Sequence, residues 1–141
     1  MARTVRSFSA GFEPLDLVEQ FPEDYPGLLE SGAAAPAAPG ACYDILPFAA
    51  GEHLQLDAEG LLAGPYAGEK GFLEALDTWW RDLEDAPSAA AEHLPFSGGW
   101  LLYFGYELAA EIESCLTLPR SPDPLIALAV RAPAEIGRAH V

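Results

Sequence analysis

The sequence predicts a mixed α+β domain. Three observations carry that reading: a composition that is half apolar, 13 prolines and 13 glycines that cut it into short elements, and one clear helical periodicity among several β-type runs. A chain of 141 residues can bury roughly two-thirds of its unfolded surface, so a core is possible. The Ala/Pro stretch from Gly32 to Ala41 punctuates the first third.

The elements follow in order. Pro14 suits the first position of a helix, and Leu15, Val18 and Phe21 then share one face of a short helix. In Tyr25-Pro26-Gly27-Leu28-Leu29-Glu30-Ser31 an X-Pro step and a glycine precede two leucines, which predicts an extended segment entering a strand. Tyr43-Asp44-Ile45-Leu46 reads as a strand. His53-Leu54-Gln55-Leu56 alternates, turns through Asp57-Ala58-Glu59-Gly60, and returns at Leu61-Leu62 as a hairpin.

From Glu69 to Leu83, apolar residues at Phe72, Leu73, Leu76, Trp79, Trp80 and Leu83 fall on one helical face. Glu69 near its start suits the positive end of the helix dipole, and Pro87 lies just beyond the end. Gly98-Gly99 then turns the chain into Trp100–Tyr106, an aromatic and aliphatic run predicted to be a buried strand, with a close backbone approach at Gly105. Leu125–Val130 is a second apolar run, too short for an independent helix and right for a strand.

The formal charge of −15, from 22 acidic and 7 basic residues, repels phosphate backbones and anionic membranes. Nucleic acid and membrane are therefore excluded as partners. The polar start, Met1 to Ala10, is not a signal peptide, and no apolar run spans a bilayer, so the expected compartment is the cytoplasm. Cys42 and Cys115 lie far apart, outside any metal-ligand spacing, and read as buried thiols. His53 and His93 lack a second ligand nearby, so no protein-built metal site is expected. Glu111/Glu113 and Asp82/Glu84/Asp85 have spacings that send helical side chains to different faces, as on a solvated acidic surface. Lys70, the one lysine, reads likewise as a solvated residue.

The last seven residues, 135–141, match one reading frame of a common sequencing-adapter oligonucleotide. They are read as a non-biological tail, to be set aside before fold reasoning, leaving 10–134 as an incomplete domain. Glu135 and Arg138 carry opposite charges, so the net charge is unaffected.

Leu94-Pro95-Phe96-Ser97-Gly98-Gly99, continuing through Phe104-Gly105-Tyr106-Glu107-Leu108 to Glu113, resembles the "PF-x-GG…G-Y-[DE]-L…E" signature of the anthranilate/aminodeoxychorismate synthase component I family. Tyr25–Ser31 is similar to that family's "YP-x-LLES", and Tyr43–Leu46 to its "[FY]D-I-[LV]", in the same order. The resemblance implies an antiparallel sheet with flanking helices, the N-terminal part of the anthranilate synthase component I type fold. It implies a chorismate-aminating parent enzyme, with this region packed on a larger chorismate-binding C-terminal region. The Phe-Gly-Tyr-Glu-Leu-Ala wording resembles the aminodeoxychorismate branch, which serves 4-aminobenzoate and folate synthesis. The anthranilate branch, serving tryptophan synthesis, is the alternative.

By the same resemblance, Mg2+ would be bound in the missing region and ammonia would come from a glutamine amidotransferase subunit. No catalytic residue falls within these 141 residues. A tryptophan-type pocket maps onto Ser31, Ala41, Cys42 and Tyr43, with L-tryptophan as its candidate ligand and a stand-alone tryptophan-binding module as a further alternative. Cys42 stands where many relatives carry Arg, which removes a charge-assisted contact to a ligand carboxylate.

Overall fold

The computed structural model describes residues 11–30, 43–83, 96 and 98–139. It is an α+β structure with antiparallel pairing, in two compact units. One comprises Met1–Gly51, Ala86–Gly99 and Ala132–Val141, and the other Glu52–Asp85 and Trp100–Arg131.

The second unit is built on a four-stranded sheet. Strand β2 (His53–Asp57) pairs antiparallel with β3 (Leu62–Ala63) and with β5 (Leu125–Ala132), and β4 (Gly99–Phe104) forms the far edge, giving the order β3-β2-β5-β4. The predicted hairpin is present: the Asp57 carboxylate accepts from the Glu59 and Leu61 amides at 3.0 and 2.8 Å, and Gly60 takes φ of +83°, which glycine adopts without strain.

Helix α2 (Phe72–Asp82) buries Phe72, Ala75 and Trp79, a spacing of three and four that faces the sheet. Against them lie Leu54, Ala127, Ala129 and Leu108. Register places Leu54 opposite Ala129 and Leu56 opposite Ala127, so these four share one sheet face. The alanines on β5 are small enough to let the large rings of Phe72 and Trp79 settle over the strand. Phe72 meets Phe104 edge-on, and Trp79 meets Trp100 in the same manner, with centroids 6.0 and 5.8 Å apart.

The first unit contains α1 (Pro14–Gln20), with Pro14 at its start, and β1 (Tyr43–Phe48). Leu29 and Ile45 exchange both backbone hydrogen bonds at 2.9 Å, and the Ala49 amide donates to the Asp24 carbonyl at 2.7 Å, so the extended segment predicted from Tyr25 onward does enter a strand pairing. On its other side β1 pairs antiparallel with β6 (Ala134–Ala139), from Tyr43 opposite Ala139 to Phe48 opposite Ala134. Most of the segment read as a foreign tail thus lies in a strand ladder, which asks only for backbone donors and acceptors.

Four sequence expectations need correction. Trp100–Tyr106 is not a buried strand: β4 is an edge, and Leu102, Tyr103 and Phe104 are each close to half exposed. An end strand has a neighbour on one side only, so apolar composition alone does not bury it. Cys115 is exposed rather than buried, because it falls in the irregular segment after α3 (Ala109–Ile112). Glu69 lies outside α2, which begins after Gly71, and serves no role at its first turn. Leu15 on α1 and Phe21 just past its end are about half exposed, and Pro14 is the buried residue of the helix. Seven residues make two turns, too little for a broad apolar face.

Candidate functional site

Ser31, Ala41 and Cys42, three of the four residues assigned to a tryptophan-type pocket, lie outside the described residues. Tyr43 is described. It opens β1, is half-buried, and stands opposite Ala139 in register. Its neighbour Asp44 is almost fully buried. His93 also lies outside them, whereas His53 and Lys70 are exposed.

The motif run from Phe96 to Glu113 is better defined. Gly98 adopts φ of +100°, and a Cβ there would meet the Pro133 carbonyl oxygen at 3.1 Å, so the turn before β4 requires glycine. Gly105 makes the predicted close approach: its amide donates to the Ile126 carbonyl at 2.7 Å, and a Cβ would sit 2.8 Å from that same oxygen. Its φ of −70° is ordinary, so space and not torsion demands glycine there.

After a 3-10 turn at Tyr106–Leu108, α3 presents Glu111 to the start of α2. The two Glu111 carboxylate oxygens accept from the Phe72 and Leu73 amides at 2.8 and 2.9 Å. Two donors that no intrahelical acceptor can reach are thereby satisfied, and a negative charge sits at the positive end of the helix dipole. Glu111 was expected only as solvated surface. A legible signal was Gly71 at the N-cap, which offers no side-chain acceptor and so leaves the first turn of α2 to be capped from elsewhere. What sequence could not supply was the acceptor itself, nearly 40 residues downstream.

The other missed group surrounds Trp100. Trp80 stacks on Trp100 with rings 5.9 Å apart and nearly parallel, and the Arg131 guanidinium lies 5.4 Å from a Trp100 ring centroid. Arg131 also approaches Glu52 at 3.8 Å. The Trp100 indole nitrogen is buried without a hydrogen-bond partner. Trp80, expected on the buried face of α2, flanks it and remains 44% exposed. Glu113, a position of the family pattern, is exposed and closes α3 through its amide to Ala109.

Among the described residues no group of three or more His, Cys, Asp or Glu side chains could hold a metal ion. No helix among them is long and apolar enough to cross a membrane. No family model matches the chain, and no curated protein matches it significantly.

Large apolar side chains are exposed along β4 and the segment after it, on both faces of the strand, since Tyr103 alternates with Leu102 and Phe104. Leu102, Tyr103 and Phe104 on β4, with Tyr106, Ile112 and Leu116 just after it, are 39–77% exposed. Exposed Glu111 and Glu113 are interspersed, and no Lys or Arg occurs from Asp82 to Pro119. Apolar side chains exposed on an edge strand are suited to covering by another element.

Proposed function

We propose that the chain is the N-terminal part of a chorismate-aminating enzyme of the aminodeoxychorismate synthase component I type, lacking the catalytic region. The parent would use ammonia from a glutamine amidotransferase subunit and contribute to 4-aminobenzoate and folate synthesis. Its chorismate-binding portion would supply the catalytic groups and the magnesium site. Residues 135–141 would be foreign to it.

The observation that supports this reading best is the exposure of the most motif-rich segment. Six large apolar side chains between Leu102 and Leu116 stand at the surface of an edge strand and the turns after it. Large apolar side chains left exposed along an edge strand are uncommon in self-sufficient domains and mark places where further chain packs. The three motifs, in family order, indicate which larger chain that is.

The test is direct. The purified chain, given chorismate, ammonia and Mg2+, is expected to yield no aminodeoxychorismate by chromatography, and measurable turnover would refute the fragment reading. Sequencing the source gene from codon 90 through codon 134 and beyond should reveal a long chorismate-binding region in frame. A stop directly after Val141 would end this proposal.

A further inference from the structure

The two sides of β1 are differently employed. Ile45 spends both backbone groups on Leu29, and Ala49 donates to Asp24, so the odd-numbered residues direct their backbone toward the 24–29 segment. By alternation, Asp44, Leu46 and Phe48 direct theirs toward β6. Pro47, which has no donor, falls on the odd side and interrupts nothing facing β6. Asp44 and Leu46 are almost fully buried, so β1 offers an unbroken hydrogen-bonding edge on a strand that is itself well covered.

The segment on that edge fits it poorly. Glu135 stands opposite Pro47, on the face shared with Ile45 and Tyr43, and one of its carboxylate oxygens is buried without a hydrogen-bond partner. Burial pushes that carboxyl up to about 7. Two residues on, Gly137 stands opposite Ile45, and a Cβ added there would meet nothing within 4 Å. A charge occupies an apolar position, and an absent side chain leaves its neighbour uncovered. Alanine and glycine are also weak strand formers, whereas the ladder itself is indifferent to side chains.

We propose that the β6 side of β1 is a strand-acceptor site for an aliphatic strand, filled in the parent polypeptide by the segment that follows Ala134, with aliphatic or β-branched side chains at positions 135 and 137. The site rests on the geometry of β1 and β6 alone. The assignment of its occupant rests on the fragment reading.

The two parts are separable by experiment. In the full 141-residue chain, the double substitution Glu135→Val, Gly137→Val is expected to raise Tm at pH 8 by about 2–8 °C. The gain should be smaller at pH 5, where Glu135 is protonated. Hydrogen exchange at the Asp44, Leu46 and Phe48 amides should slow in parallel. A Tm unchanged or lowered at pH 8, or exchange unchanged at those three amides, overturns the site. Reading the source gene then decides the occupant: aliphatic residues at codons 135 and 137 support it. A charged residue or glycine at either position overturns that assignment, and so does a gene that encodes residues 135–141 as they stand.

Discussion

β4 and β5 are neighbours in one sheet and both largely apolar, yet they meet opposite fates. In β5 the alternate residues Ala127 and Ala129 are fully buried under α2, with Leu54 and Leu56 of β2 completing the same face. In β4 Gly99, Trp100 and Leu101 are partly buried, and Leu102, Tyr103 and Phe104 are close to half exposed. The difference is position. β5 has a strand on each side, whereas β4 has one. An apolar run thus states what a segment would gain by burial, and its place in the sheet decides whether this chain supplies the cover.

That contrast can be broken at its strong end first. Phe72→Ala removes a fully buried ring from between α2 and the sheet and should cost about 3–5 kcal/mol, read by denaturant unfolding. Leu102→Ser on β4 should change stability by less than about 0.5 kcal/mol while reducing self-association in light scattering. Equal losses at the two sites would contradict the distinction between covered and edge strands.

Where the two strands meet, Gly105→Ala sharpens the comparison. The new methyl would press on the Ile126 carbonyl that accepts the residue's own amide, so the contact between the segment after β4 and β5 must open. A loss of about 1–3 kcal/mol is expected, with faster hydrogen exchange at residue 105. Glu111→Ala should cost less, about 0.5–2 kcal/mol, because it frees two first-turn amides that water can partly satisfy. Circular dichroism should show fraying at Phe72 and Leu73 as a lower melting temperature with the sheet retained.

At β1 the contrast takes a chemical form: a well-buried strand carries a partner with a charge in the wrong place. The pH dependence follows from the raised Glu135 pKa. Because the folded value, about 7, exceeds the ordinary 4.5, this group's contribution to stability is complete below about pH 4.5 and is lost as pH rises through 7. Glu135→Gln should therefore flatten that part of the Tm profile between pH 5 and 8.

Much of the secondary structure was legible because local rules decide it. Three- and four-residue spacing made α2, alternation followed by an Asp-to-Gly turn made the β2–β3 hairpin, and β-forming residues made β1 and β5. The requirement for glycine at 105 was legible too, since an isolated glycine in an apolar run marks close approach. Less of the candidate site could be read. Tyr43 is the one assigned pocket residue among those described, and the cap that Glu111 places on α2 joins residues nearly 40 apart.

By itself the sequence determined the α+β class, the ordered motifs and the face of α2 that seeks a core. Tertiary structure alone decided that β4 is an edge, that Trp80 and Arg131 gather at Trp100, and that Glu135 lies buried beside β1. The reason is range. Periodicity and turn chemistry act over a few residues, whereas burial depends on which distant segment arrives to exclude water.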